Sequence, residues 1–321
     1  MKLLLLGYSD IARRRVIPAL NNVKRIHSIC IATETQFSEL NRNRLSATVY
    51  RDYLTALSSS KPDLVYISLQ NSAHAEWVKT SLEYGAHVIV DKPAFTKLSD
   101  ATELVDLARQ RGLCLSEALV YAYHPQIQAI KSCFARANSF ISEMTATFSF
   151  PPLPENNFRY SPALGGGALF DLGPYATSLG RLFFNNPPLH FSCQTCFDQI
   201  HNQVETGFSF TADYAGDKFI SGNFNFTGEY VNQIKVSGPN LTIDVDRAFT
   251  TPSDYKNILN LHQDGGRTTL VVPPADSFEI FLNHVVDAIV DSQHETLLND
   301  LLTDAKAREQ LSNCNSRVTI L

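Results

Sequence analysis

The sequence is short of the features that would send a chain to a membrane or to nucleic acid. Its 27 lysines and arginines are outnumbered by 32 aspartates and glutamates, for a formal net charge of −5. That balance excludes the basic footprint of a phosphate-backbone binder and disfavours charge-driven attachment to an anionic bilayer. No apolar run approaches the roughly 18 residues that span hydrocarbon. The opening Met1-Lys2-Leu3-Leu4-Leu5-Leu6 is too short for a secretory core, and Gly7-Tyr8-Ser9-Asp10 interrupts it without a cleavage-like site. It predicts a buried first strand. Cysteine is sparse as well: six thiols are scattered through 321 residues, so no disulfide framework is indicated and a reducing cytoplasm is expected. Cys193 and Cys196 form a C-x-x-C. The chain lacks two further ligands at zinc spacing, and the segment reads as strand rather than as the helix start of a redox motif. There is no repeat, low-complexity tract or long linker. What remains is 44% hydrophobic and 18% charged, a globular composition. At about 150 residues per domain, the length suggests two domains or one large one.

The first 120 or so residues alternate short apolar runs (2–6, 27–33, 63–68, 87–90 and 113–119) with helical patterns (11–20, 73–84 and 100–111). Strands alternating with helices predict a parallel, doubly wound sheet, which binds ligands at the carboxyl ends of its strands. From about Ser139 to Val272 the composition turns to Thr, Phe, Tyr, Val and Ile with period two, for example over 144–150, 207–211 and 220–226. That predicts antiparallel strands. Residues 168–184 carry helical spacing, and two more helical patterns close the chain at 277–290 and 296–312. The boundary between the halves falls near 117–125.

Gly7-Tyr8-Ser9-Asp10-Ile11-Ala12 lies after the first strand and before the first helix, where a dinucleotide loop belongs. Gly7 supplies the tight turn and Ala12 the close helix–sheet packing. Ser9 stands where the pattern has its middle glycine, and it is small enough to let the backbone approach a pyrophosphate at the helix N-terminus. At the end of strand two the sequence reads Ile31-Ala32-Thr33-Glu34-Thr35. If Thr33 holds the discriminating position, NADP fits; if Glu34 does, NAD fits. The reading leans to NADP(H), with Arg13, Arg14, Arg42 and Arg44 as candidate partners for a 2′-phosphate, although each also reads as a solvated surface charge.

Two further fragments carry charge into places that need a reason for it. His87-Val88-Ile89-Val90-Asp91-Lys92-Pro93 sets an aspartate and a lysine directly after a buried strand; the plain alternative is a lysine capping that strand. Gly165-Gly166-Gly167-Ala168-Leu169-Phe170-Asp171-Leu172-Gly173-Pro174-Tyr175 spaces Asp171 and Tyr175 four apart, on one face if the segment is a single helix. The plain alternative is a glycine-rich turn entering a core helix.

Together these segments resemble the glucose–fructose oxidoreductase/inositol dehydrogenase (Gfo/Idh/MocA) family. Gly85, His87, Val88, Asp91, Lys92 and Pro93 fall in register with its G-x-H-V-x-x-E-K-P motif, with His74 and Leu82 ahead of them near its leading His and Ala, and 165–175 with its G-G-G-x-L-x-D-x-G-x-H/Y motif. The resemblance covers nearly the whole chain. It is nearest to nucleoside-diphosphate-hexose 3-ketoreductases, through 7–15, His74-Ala75-Glu76-Trp77, His124-Pro125-Gln126, Phe150-Pro151-Pro152, Phe158-Arg159-Tyr160 and Phe249-Thr250-Thr251-Pro252. It implies a Rossmann domain over 1–120. Over 121–321 it implies an α+β substrate domain with a large open, mainly antiparallel sheet, whose face forms a dimer or tetramer interface. Cofactor contacts would come from Gly7, Tyr8, Ser9, Asp10, Ile11, Thr33, Glu34, Gln70, His74, Asp91 and Lys92. Asp91 replaces the family's glutamate, which shortens its reach.

On this reading a nicotinamide cofactor reduces a sugar ketone. Lys92 stabilises charge on the carbonyl oxygen, Tyr175 delivers the proton, and Asp171 orients Lys92 or a sugar hydroxyl. A tyrosine with ordinary pKa near ~10 is mostly protonated at neutral pH, which suits reduction, and a nearby ammonium would lower that value. His124, Gln126, Arg159 and Tyr160 are candidate contacts to the sugar or diphosphate; buried His and Tyr are also commonly satisfied within a core. Two alternatives stay open. One is a dehydrogenase of a free sugar, polyol or dihydrodiol. The other is a catalytically silent cofactor-binding protein of the same fold.

Overall fold

Leu3, Leu4, Leu5 and Leu6 are all fully buried in the computed structural model, which describes residues 1–42, 47–198 and 203–319. Burial of every residue, rather than every second one, means a strand covered on both faces. This strand, β1 (Lys2–Leu6), joins β2 (Ser28–Ala32), β3 (Thr48–Tyr50), β4 (Leu64–Ile67), β5 (His87–Asp91) and β6 (Leu115–Ala118) in an all-parallel sheet of order β3-β2-β1-β4-β5-β6. That is the Rossmann order, and its direction reverses between β1 and β4. The short β3 escapes the sequence reading, because three residues carry no usable period. The segment read as helix 11–20 opens as a π-helix over Ala12–Val16 and continues as α-helix over Ile17–Leu20.

The chain divides into two units, Met1–Ala118 with Phe278–Leu302, and Leu119–Ser277 with Thr303–Leu321. The late segment of the first unit is fastened by polar contacts. Asn22 donates to Glu279 at 2.8 Å, Arg25 pairs with Asp287 at 3.2 Å, and Arg109 donates to Glu295 at 3.0 Å and to Asn299 at 2.7 Å. The Arg15 guanidinium lies 4.9 Å from the centre of the Phe278 ring.

In the second unit, nine strands form one sheet. They are β7 (Glu143–Ser149), β8 (His190–Phe197), β9 (Gly207–Tyr214), β10 (Lys218–Asn225), β11 (Val231–Ser237), β12 (Thr242–Asp246), β13 (Asn257–Gln263), β14 (Gly266–Val272) and β15 (Asn315–Thr319). Their order is β14-β13-β12-β11-β7-β10-β9-β8-β15, antiparallel except for the β7–β10 and β8–β15 pairs. Burial alternates along the strands: Met144, Ala146, Phe148, Phe208, Phe210 and Ile234 face the core. Thr145, Thr211, Ser221 and Lys235 lie side by side on the other, more open face. Cys193 is buried on β8 and Cys196, three residues on, belongs to the opposite face, so the pair cannot act on one ligand.

The pattern over 168–184 is two helices, Ala168–Asp171 and Gly173–Phe184. Pro174 lacks an N–H and cannot continue the first helix, so the chain restarts at Gly173. Asp171 and Tyr175 therefore do not share one continuous helical face. A helix over Pro125–Arg136, capped by His124 and opened by proline, is a further element that periodicity alone left unread. Among the described residues, no helix is long and apolar enough to cross a membrane.

Candidate active site

The carboxyl edge of the first sheet gathers the ends of β1, β4 and β5. Gly7 follows β1 with φ +90°, and a Cβ there would lie 2.2 Å from the Ser68 carbonyl oxygen. Only glycine allows the loop to cross so close to the end of β4. Beyond it, Tyr8 and Ser9 are half-buried, and Ile11 is 41% exposed at the start of the first helix. The exposed Asp10 pairs with Arg13 at 2.7 Å.

Ser9 is more than a small substitute for glycine. The Ala12 amide donates to its hydroxyl at 3.1 Å, and the Ser9 and Ser68 hydroxyl oxygens lie 2.7 Å apart. Ser68 in turn donates to Asp91 Oδ2 at 2.5 Å. Because Ser68 has one proton and gives it to Asp91, Ser9 is the donor to Ser68. Tyr66 donates to the other oxygen of Asp91 at 2.7 Å. A directed chain thus runs from the loop to the carboxylate before Lys92. Burial raises the pKa of Asp91, opposed by the Ser68 and Tyr66 hydrogen bonds and by the charges of His74 and Lys92. Both Asp91 oxygens are used inside the sheet edge, which fixes the strand end from which the half-buried Lys92 departs.

His74 is fully buried, with Nδ1 2.9 Å from the Pro93 carbonyl and Nε2 3.2 Å from the Leu69 carbonyl. It ties the loops after β4 and β5 together, beside the exposed Gln70. Glu117, which the sequence reading passed over, is 6% exposed on β6 and accepts the Ala94 amide at 2.9 Å, just past Lys92 and Pro93. At the end of β2, Thr33 is buried and its hydroxyl accepts the Gln36 amide at 3.3 Å, while Glu34 is exposed. Arg13 and Arg14 are exposed; Arg44 and the Arg42 side chain lie outside the described residues.

In the second unit, the glycine-rich turn is held from two sides. The Gly167 amide donates to the Arg159 carbonyl at 2.8 Å, and a Cβ on Gly166 would meet that same oxygen at 2.5 Å. From the other side, Glu205 accepts the Leu169 amide on its carboxylate at 2.9 Å, and its carbonyl accepts the Ala168 amide. Burial raises the Glu205 pKa, opposed by backbone hydrogen bonds. Glu205 is invisible as a signal, being a lone acid before a strand, yet it caps the helix that carries Asp171.

Asp171 is 5% exposed and pairs with Arg159, Nε to Oδ2 at 2.8 Å. Burial opposes the Arg159 charge, but Asp171, with a contribution from Tyr175, holds its pKa above the usual value. Tyr175 is half-buried among Tyr121, Phe148 and Phe249, with ring centres 5.6, 5.4 and 5.2 Å away. The remaining candidates are occupied in the fold. Gln126 is fully buried, donating to the Ala248 carbonyl at 2.8 Å and accepting from Asn257. The Tyr160 hydroxyl accepts the Leu153 amide at 3.1 Å. His124 Nδ1 accepts the Gln126 amide at 3.2 Å, and burial pushes the ring's pKa down to about 4.

Among the described residues, no cluster of His, Cys, Asp or Glu could hold a metal ion. The first edge does fit a dinucleotide: a left-handed glycine, an open loop and the amides of a helix start meet where the strand order reverses.

Comparison with known proteins agrees with this geometry. Residues 1–119 match the oxidoreductase family with NAD-binding Rossmann fold, and residues 140–244 match the GFO/IDH/MocA C-terminal domain. The chain is 29% identical, over 84% of its length and 82% of that protein's, to dTDP-3,4-didehydro-2,6-dideoxy-alpha-D-glucose 3-reductase of Saccharopolyspora spinosa. It is 27% identical, over 85% and 84%, to D-xylose 1-dehydrogenase (NADP(+)) 2 of Haloferax volcanii. Among solved structures, KijD10, a 3-ketoreductase from Actinomadura kijaniata in complex with NADP and TDP-benzene, superposes with a TM-score of 0.94 at 25% identity, covering 100% of this chain and 99% of the other.

Proposed function

The chain belongs to the Gfo/Idh/MocA oxidoreductase family, and we propose that it is an NADP(H)-dependent reductase of the 3-keto group of a nucleotide-linked deoxyhexose. The observation that carries most of this reading is the first sheet's carboxyl edge, where the Ser9–Ser68–Asp91 chain leads from the glycine loop to Lys92. The substrate class is supported by relatives named as dTDP-sugar 3-reductases and by a neighbour solved with NADP.

Gly7, Tyr8, Ser9 and the amides that open the first helix would hold the diphosphate. A buried Thr33, rather than a carboxylate, ends β2 and suits a 2′-phosphate. When bound, NADPH supplies the hydride. Lys92 donates a hydrogen bond to the carbonyl oxygen and stabilises its developing negative charge. Tyr175 donates its phenolic proton to that oxygen as the alcohol forms. Asp171 acts through Arg159, its partner at 2.8 Å. The chain works as a homo-oligomer through the open face of its larger sheet, in a reducing cytoplasm where its thiols stay free.

The test follows NADPH oxidation with a dTDP-3-keto-deoxyhexose and NADP+ reduction with D-xylose. Turnover of the nucleotide sugar alone is the expected result. Turnover of xylose alone moves the substrate to free aldoses, and tight NADPH binding without turnover of either makes the chain a silent cofactor binder.

A further inference from the structure

Buried amide side chains hold one loop of the second unit. After β12 the chain turns at Arg247, whose φ of +55° lies in the left-handed region. Asn232, 3% exposed on β11, accepts the Phe249 amide at 2.9 Å and donates to Thr250 Oγ1 at 2.7 Å. The fully buried Gln126 donates to the Ala248 carbonyl at 2.8 Å and accepts from the equally buried Asn257. Buried amides are costly unless bonded, and here their bonds converge on residues 248–250. Phe249 is thereby turned inward, against the rings of Tyr175 and Phe148. Arg247 and Thr250 reach the surface beside Tyr230, which is 42% exposed.

Arg247 and Thr250 present donors there. The Arg247 guanidinium carbon lies 4.6 Å from the Tyr230 ring centre, and Arg247 donates to the phenolic oxygen at 2.8 Å. Asn232 donates to the same oxygen at 3.1 Å. With its oxygen so occupied, Tyr230 gives its proton to Thr250 Oγ1, 3.3 Å away. The threonine oxygen then accepts from both Asn232 and Tyr230, so its own proton is left to donate. Among the described residues, no carboxylate pairs with Arg247. Asp246, its chain neighbour, faces Gln233 across the strand pair and accepts from it at 2.6 Å. A fixed guanidinium with spare N–H groups, beside a hydroxyl donor, suits an anion with several oxygens.

Ring to ring, Tyr230 is 6.5 Å from Phe148 and Phe148 is 5.4 Å from Tyr175, so Tyr230 lies at most about 12 Å from Tyr175. A hexose ring and the diphosphate on its anomeric carbon fit within that span. We infer that Arg247 and Thr250 hold the diphosphate of a nucleotide-linked sugar. Tyr230 and Asn232 are positioning residues that aim those donors. This deepens the proposed function and rests on the substrate being a nucleotide sugar with its keto group at Tyr175. A free aldose carries no anion and gains nothing from the cluster.

Calorimetric titration of the full chain with dTDP and with thymidine isolates the diphosphate, because the two ligands share the nucleoside. The parent chain should bind dTDP the more tightly. Arg247→Met keeps a stem against Tyr230 and removes the charge. It should weaken dTDP binding about 10- to 100-fold and leave thymidine unchanged. Arg247→Lys should recover part of the loss, because an ammonium lacks the planar fork. Thr250→Val should weaken dTDP binding about three- to tenfold, and Thr250→Ser should restore it. If Arg247→Met does not fold, the Thr250 pair still decides the question. In turnover of a dTDP-3-keto-deoxyhexose, Arg247→Met should raise KM more than it lowers kcat. Unchanged dTDP affinity in Arg247→Met, with the parent chain still preferring dTDP to thymidine, overturns the inference and leaves the substrate class standing. A parent chain without that preference removes the nucleotide sugar and the inference with it. Loss of NADPH affinity in Arg247→Met, read by fluorescence titration, also overturns the inference, because it assigns the arginine to the cofactor's phosphates.

Discussion

At the scale of single residues, two positions carry the sharpest consequences. Tyr175→Phe removes the proposed proton donor while keeping the ring that packs on Phe148 and Phe249. Its kcat for ketone reduction should fall about 10²- to 10⁴-fold, with NADPH affinity unchanged by fluorescence titration. Retention of full activity would pass the donor role to Lys92. Gly7→Ala places a methyl 2.2 Å from a backbone oxygen at φ +90°. It should lower the thermal midpoint and abolish measurable NADPH binding, because neither β1 nor β4 can move aside. The same scale shows what a motif hides. Ser9 reads as a glycine substitute, but its hydroxyl is committed to Ala12 and Ser68. Asp91 reads as a shortened glutamate, but its oxygens are satisfied by Tyr66 and Ser68. Side-chain identity was legible in each case; the partner, some sixty or twenty-five positions away in sequence, was not.

At the scale of elements, legibility follows burial. β1, β4 and β5 read almost to the residue, because strands covered on both faces appear as continuous apolar runs. β7 and β10 read nearly as well through their alternation. The failures have local causes. β3 is three residues long, and 168–184 keeps a helical period across a break made by Gly173-Pro174, since both pieces bury the same kind of face. The helix Pro125–Arg136 begins at His124, whose capping ring gives the element a pH signature. The ring is 1% exposed and its pKa is pushed down to about 4, below the usual value of about 6.5. Between those values the unfolded chain binds a proton that the folded chain refuses. Stability is therefore lost as pH falls through that window, by on the order of 3 kcal/mol from this residue. Asp91 and Glu205, with raised pKa values, act in the opposite sense. Denaturant unfolding of His124→Asn beside the parent chain isolates the effect: the variant keeps a capping side chain and should show a shallower decline between neutral pH and about pH 4.

At the scale of the whole molecule, the larger sheet offers one open face with Thr145, Thr211, Ser221 and Lys235 at its centre. Sedimentation should find a dimer or tetramer, and Thr145→Asp with Thr211→Asp should shift it toward monomer by placing like charges across the contact. Sedimentation as a monomer at micromolar concentration would remove the sheet from the assembly. Both units are built from two separate stretches of the chain. The first is assembled from two stretches, Met1–Ala118 and Phe278–Leu302, and the return stretch is bound through Asn22, Arg25 and Arg109. A cofactor module cut at residue 120 would lack one of its walls and expose Phe278's seat on Arg15. Neither half of this chain can be exchanged as a single contiguous cassette. Chimaeras meant to graft a new substrate specificity onto its cofactor half will need three splice points, after Ala118, Ser277 and Leu302.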